Sequence, residues 1–89
     1  MEIVEVEWAE GVREKVIRKH QLDPEEVEDS FFEPGVRPQR GRSGRYVLWA
    51  QTPAGVYALV VFEYAKGRAT VITARRMTDA ERRRFREWK

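Results

Sequence analysis

The sequence has no cysteine and a single histidine, His20. Without thiols there is no disulfide framework and no thiolate metal site, and the easy reading is a reducing, cytoplasmic setting. One histidine cannot build a zinc site alone, and no His/Asp/Glu spacing resembles one, so neither a metal nor a cofactor is expected. No apolar run approaches the ~20 residues that a membrane-spanning helix needs. Residues 1–7 alternate acids with apolar side chains, unlike the basic and then apolar order of a signal peptide. The glycine-containing stretch Gly41-Arg42-Ser43-Gly44 lacks the spacing of a phosphate-binding loop. No Gly-x-Ser-x-Gly elbow presents a serine nucleophile.

What is present fits one small folded domain spanning residues 1–89. A chain of this size buries roughly 60–65% of its unfolded surface, so it has one modest core. Charge is abundant and unevenly placed. Residues 1–33 carry eleven acids against four Lys/Arg, whereas residues 66–89 carry nine Lys/Arg against three acids. If the fold keeps these regions apart, the molecule is dipolar and its basic part can meet phosphates or an acidic protein. The plainer alternative is that the two ends pair with each other.

Ile3, Val4, Val6 and Trp8 interleave with Glu5 and Glu7, which predicts a first strand. Ala9, Val12, Val16 and His20 recur at helical spacing, which predicts a helix over residues 9–20 that Gly11 weakens by about 1 kcal/mol. Asp23-Pro24-Glu25-Glu26 reads as an N-cap, a first-turn proline and first-turn acids, opening a second helix that ends before Pro34. Residues 34–44 hold three glycines, two prolines and three arginines without an acid. They read as a mobile cationic loop. Three strands follow, over Arg45–Thr52, Val56–Tyr64 and Arg68–Arg75. Pro53-Ala54-Gly55 and Lys66-Gly67 turn the chain between them, giving an antiparallel meander. The middle strand is nearly all apolar and should be central. Thr78-Asp79-Ala80-Glu81 is a capping box. In the helix it opens, Met77, Glu81, Phe85 and Trp88 share one face, while Arg82, Arg83 and Arg86 share the other. The order β-α-α-β-β-β-α is that of an α+β domain with helices packed on an antiparallel sheet.

That order, with these residues in it, resembles the BrnT toxin family over nearly the whole chain. Trp8 closes the first strand as the family's tryptophan does. Arg18-Lys19-His20 matches its helix-ending Arg-Lys-His, and Phe31 and Pro34 its phenylalanine and proline after the second helix. Arg45-Tyr46 matches its Arg-aromatic strand opening. Ile72-Thr73-Ala74-Arg75-Arg76-Met77-Thr78 is similar to its Ile-Ser-Ala-Arg-Lys/Arg-Ala-Thr. Glu81-Arg82-Arg83 and Phe85 match its tail. The sequence departs from the pattern at Ala9, Val12, Val16 and Gln21. It departs again at the central strand's end, where the family's Tyr-Thr-Glu-Arg is Phe62-Glu63-Tyr64-Ala65.

The resemblance implies a RelE-like fold and a metal-independent endoribonuclease, the toxin of a type II toxin–antitoxin system. It implies RNA as substrate and a DNA-binding, BrnA-type antitoxin as partner, a heterotetramer being one assembly open to the pair. Such nucleases use the RNA's own 2′-hydroxyl, and the protein orients the attack, neutralises charge and moves protons. Arginine suits the middle task because it stays charged and grips phosphate with two donors. Arg75 is then the first candidate for the phosphate clamp, followed by Arg76 and Arg45. His20 is the candidate proton carrier, with Lys19 beside it as a cation. Against these roles stand plainer ones: arginines paired with acids of the first third, and a histidine packed at a helix end. Trp49, Tyr57 and Tyr64 could stack on bases or simply pack within the sheet. The alternative function is a nuclease-inactive RNA-binding or protein-interaction module of the same fold, and beyond it a structural role in which the charges confer solubility.

Overall fold

In a computed structural model describing residues 1–88, eight elements follow one another. They are β1 (Glu5–Trp8), α1 (Val12–His20), α2 (Pro24–Ser30), β2 (Arg37–Arg40), β3 (Tyr46–Gln51), β4 (Tyr57–Ala65), β5 (Arg68–Arg76) and α3 (Asp79–Glu87). The strands form a single sheet in the order β1-β5-β4-β3-β2. The expected central strand is central: β4 pairs with both β3 and β5, and Ala58, Val60 and Phe62 are fully buried.

Two features differ from the sequence-based expectation. The sheet is mixed, because β1 runs parallel to β5 while the other pairs are antiparallel. A first strand separated from the last by the whole chain has no hairpin to fix its direction, so only tertiary packing decides it. The second difference lies in the supposed cationic loop, where Arg37–Arg40 pairs with β3 as an edge strand. Its composition hides it, since Arg-Pro-Gln-Arg offers no apolar alternation and all four residues are exposed. Pro38 is tolerated for a specific reason. Gly41 N–H donates to the Arg45 carbonyl at 2.8 Å. Backbone groups alternate sides along an antiparallel pair, so the Pro38 nitrogen falls on the free outer side, where no ladder bond is lost. The proline also blunts that edge against further pairing.

Helix boundaries follow local chemistry. α1 begins later than periodicity suggests because Gly11 adopts φ 78° and serves as its N-cap. Only glycine takes that left-handed conformation without cost, so the residue that would weaken a helix interior instead starts the helix. Asp23 caps α2 by accepting from Glu25 N–H at 2.9 Å, with Pro24 in the first turn. At α3 both halves of the expected capping box are made. None of the described helices is long and apolar enough to cross a membrane.

The sheet has two differently used faces. On one, Val16 of α1, Leu22, Val27 of α2 and Phe31 pack on Leu48, Ala50, Ala58, Val60, Phe62, Ala69, Val71 and Ala74. Phe31 meets Phe62 edge-on at 5.1 Å between ring centroids. Trp8 donates from Nε1 to Glu28 at 2.7 Å, tying β1 to α2. On the opposite face α3 covers one end only, through Met77, Phe85 and Trp88 against Leu59, Val47, Trp49 and Tyr57. Among the described residues no helix covers the rest of that face.

A bulge sets which β5 side chains reach which face. The β4–β5 register shifts between Val61 and Phe62, so that Val61 opposes Thr73 and Phe62 opposes Val71. Ile72 is the extra residue. In a regular strand Val71 and Arg75 would share a face. With the bulge, Val71 and Ala74 share the helix-covered face, and Thr73 and Arg75 turn to the open one.

Phe62 is fully buried whereas Phe32 is 55% exposed. Phe62→Ala is expected to cost about 3–5 kcal/mol and Phe32→Ala within about 0.5 kcal/mol, read from urea denaturation midpoints. Equal losses would contradict the assigned core.

Candidate functional site

Five residues were candidates for chemistry: Arg75, Arg76, His20, Arg45 and Lys19. The fold brings two of them to one place. His20, at the end of α1, and Arg75, near the end of β5, line a cleft of about 300 Å³ with Val47, Leu59, Val61 and Thr73. The cleft lies on the open face of the sheet. β1 pairs with β5 only as far as Val71, so among the described residues the outer edge of β5 beyond it has no strand partner. The end of α1 lies there instead, which brings His20 to the cleft. The imidazole makes no hydrogen bond to another described residue, although the His20 carbonyl accepts from Arg76.

Arg75 is held firmly. Its Nη1 and Nη2 donate to the two Glu81 oxygens at 2.8 and 2.9 Å, and Nη1 also donates to the Arg76 carbonyl at 3.1 Å. A guanidinium has five N–H donors. Three are used, and the two that remain, on Nε and Nη2, lie along the same edge of the group. That edge is a second two-pronged fork with no partner among the described residues. The alternative role, pairing with an acid of the first third, is not what Arg75 does: its partner is Glu81, and two of its five donors have no partner among the described residues.

Glu81 organises this corner. The same carboxylate accepts from Thr78 N–H at 2.8 Å, completing the capping box. The Arg75 hydrogen bonds, with smaller help from Thr78, hold its ionisation at about 2 against an ordinary 4.5, while partial burial opposes them. Hydrogen bonding to Glu81 in turn makes Arg75 hold its proton more tightly. Sequence spacing identified Glu81 as a cap but not as the partner of an arginine six residues earlier, since nothing local relates the two.

The other candidates sit elsewhere. Arg76 turns to the opposite side of β5 and donates to the His20 and Gln21 carbonyls at 3.4 and 3.0 Å, binding the carbonyl end of α1. A cation there also suits the helix dipole. Arg45 opens β3 on the open face but is engaged by Glu63 at 3.3 Å, across the strand pair from it. It is displaced from Arg75 by four residues along β4, about 13 Å. Lys19 is exposed and does not line the cleft. The aromatic candidates are packing residues. Trp49 meets Trp88 at 4.9 Å, Tyr57 meets Phe85 at 6.0 Å, and the Tyr64 hydroxyl donates to the Glu2 carbonyl at 2.9 Å.

The charge asymmetry becomes a spatial one. The acids of α2 lie on the helix-covered side of the sheet, and the arginines of α3 lie on the open side. Pairing between the two ends is slight. Among the described residues, only Arg68 reaches acids of the first third, Glu5 at 2.8 Å and Glu7 at 3.5 Å. Among the same residues no group of three or more His, Cys, Asp or Glu comes together as a metal ligand set would.

The fold recurs in the crystal structure of the Brucella abortus ribonuclease toxin BrnT. The TM-score is 0.67 at 19% identity, over 83% of this chain and 96% of that one. The α+β architecture expected from the sequence, BrnT-like in element order with β2 added, is therefore the architecture of this chain. No family profile and no curated protein sequence matches it.

Because Glu81 releases its proton more readily in the folded chain than in the unfolded one, its pair with Arg75 stabilises the fold above about pH 4.5. That contribution fades as pH falls toward about 2. Thermal melts of Glu81→Gln and the parent should differ most at neutral pH and converge toward pH 2. A gap that stays constant with pH would assign the effect to capping rather than to charge.

Proposed function

We propose that this chain is a ribonuclease toxin of a type II toxin–antitoxin pair, and that it cuts RNA at the open face of its sheet. The observation that carries the proposal is the meeting of His20 and Arg75 in one cleft, with one edge of the arginine free, on a fold shared with a ribonuclease toxin. Each of these residues supplies something the reaction needs.

In the proposed reaction the 2′-hydroxyl of one nucleotide attacks the adjacent phosphorus. The bond to the 5′-oxygen breaks, leaving a 2′,3′-cyclic phosphate and a 5′-hydroxyl. Because the nucleophile comes from the RNA itself, no metal-bound water is required to provide one. His20, whose imidazole makes no hydrogen bond to another described residue, takes the 2′-hydroxyl proton. The free Nε–Nη2 edge of Arg75 receives two phosphate oxygens and offsets the charge that builds on them in the transition state. The departing 5′-oxygen takes its proton from solvent. Glu81 is a positioning residue: it fixes the guanidinium plane in advance, so the arginine need not be ordered during the reaction. Val47, Leu59 and Val61 give the cleft an apolar floor, which strengthens these interactions by limiting water. A BrnA-type antitoxin covering the open face would block all of this at once.

A second reading, the nuclease-inactive RNA-binding module, draws on a particular observation. Ala65 stands where the BrnT pattern resembled by this sequence has a strand-end arginine. Arg45 and Arg68, on the open face at that end of the sheet, are both engaged by acids. Arg75 is then the single arginine lining the cleft.

The two readings separate on expression of the chain alone in bacteria, with growth and total RNA followed. The expected result is growth arrest with RNA fragmentation. With purified protein, Arg75→Ala should lower the cleavage rate by about 10²–10³-fold, and His20→Ala by about 10²–10⁴-fold. Intact RNA at good expression, together with salt-dependent RNA binding, would favour the inactive module instead.

A further inference from the structure

A second cleft, of about 230 Å³, lies beside the β5–α3 junction. It is lined by Gly55, Val56, Tyr57, Arg76, Met77 and Arg82. It contains two arginines and no acid. Both guanidinium groups are fixed by other parts of the fold. Arg76 is held through Nε and Nη2 by the carbonyls that end α1. Arg82 lies over the Tyr57 ring, with its guanidinium carbon 5.1 Å from the ring centroid.

Among the described residues neither cation is closely paired with an acid. The acid nearest Arg82 is Asp79, whose side chain is 93% exposed and whose oxygen is 3.7 Å away, too weak a contact to cancel the charge. Arg76 has Nη1 free, and neither Nη group of Arg82 nor the Tyr57 hydroxyl has a hydrogen-bond partner among the described residues. Arg82 Nε is shut away from solvent without a hydrogen-bond partner among the described residues. Two like charges brought into one cleft cost free energy that a shared anion would offset.

We propose that this cleft binds a phosphate group. The oxygens would accept from Arg76 Nη1, the Nη groups of Arg82 and the Tyr57 hydroxyl. Both guanidinium groups are already held by the fold, so little side-chain freedom is lost on binding. The phosphate belongs either to an RNA strand passing the β5–α3 junction or to a free phosphorylated compound.

The test is amide and arginine-Nε NMR of the full chain, titrated with inorganic phosphate at fixed ionic strength. Saturating shifts are expected at Gly55, Val56, Met77 and Arg82. They should persist in Arg75→Ala and weaken by about tenfold or more in Arg82→Gln. Arg76→Gln is the second variant should Arg82→Gln not fold, and the spectrum itself reports folding. Shifts that do not saturate, or an affinity unchanged in both glutamine variants, would overturn the proposal. The source of the phosphate is decided with a 2′-O-methyl oligonucleotide that cannot be cut. If the cleft takes a backbone phosphate, Arg82→Gln lowers the salt slope of binding by about 0.7, one phosphate contact on a single strand. An unchanged slope, with inorganic phosphate still bound by the parent, assigns the cleft to a free phosphate compound. Neither arm requires cleavage, so both remain readable if the chain is not a nuclease.

Discussion

Three donors converge on the carboxylate of Glu81: the amide of Thr78 and two nitrogens of Arg75. The first closes the N-terminus of α3 and the others tie that helix to the end of β5. Two requirements are thereby met by one group. α3 must start at a fixed point to place Phe85 and Trp88 on the sheet, and the proposed phosphate contact requires Arg75 to be held in one orientation. Each contact alone is worth little at a half-exposed position. Together they make the start of the helix and the aim of the arginine a single structural decision.

That decision matters because of the bulge at Ile72. A strand alternates faces strictly, and without the extra residue Arg75 would turn toward α1 and α2, into the larger core. The bulge keeps Val71 and Ala74 in that core while sending Thr73 and Arg75 to the other side. The open face then receives His20 because the pairing of β1 with β5 ends at Trp8–Val71 and leaves the last part of β5 for α1 to flank. Arg76, one residue on, holds the carbonyl end of α1 through Nε and Nη2 and does not line the His20–Arg75 cleft. Its neighbour is left as the cation of the cleft. Two adjacent arginines that look equivalent in the sequence thus do different work, one anchoring a helix and one facing the cleft.

Much of this was legible in the sequence. Asp23-Pro24 and Thr78-x-x-Glu81 announce helix starts because capping depends on residues a few positions apart. The run Val56–Tyr64 announces a central strand because only two-sided burial tolerates so little polarity. What escaped was non-local. The parallel pairing of β1 with β5, the edge strand hidden in Arg-Pro-Gln-Arg, and the Ile72 bulge all depend on partners distant in the chain. So does the pairing of Arg75 with Glu81. Gly11 was visible, but its positive φ was not, and a helix breaker turned out to be a helix cap. Of the candidate residues, His20 and Arg75, singled out by residue type and by the family resemblance, line one cleft, although helical spacing alone placed His20 with Val16 on the packed face. Spacing could not tell that Arg45 would be occupied by Glu63, or that the rings of Trp49 and Tyr57 would pack against Trp88 and Phe85.

The central claim is that Glu81 acts through Arg75, holding it ready for a phosphate. A double-mutant cycle on single-turnover RNA cleavage tests this most directly, using Arg75→Ala, Glu81→Gln and the pair. The account predicts that Glu81→Gln slows the parent but has almost no further effect once Arg75 is gone. Fully additive losses, or an unchanged rate in Glu81→Gln, would contradict it.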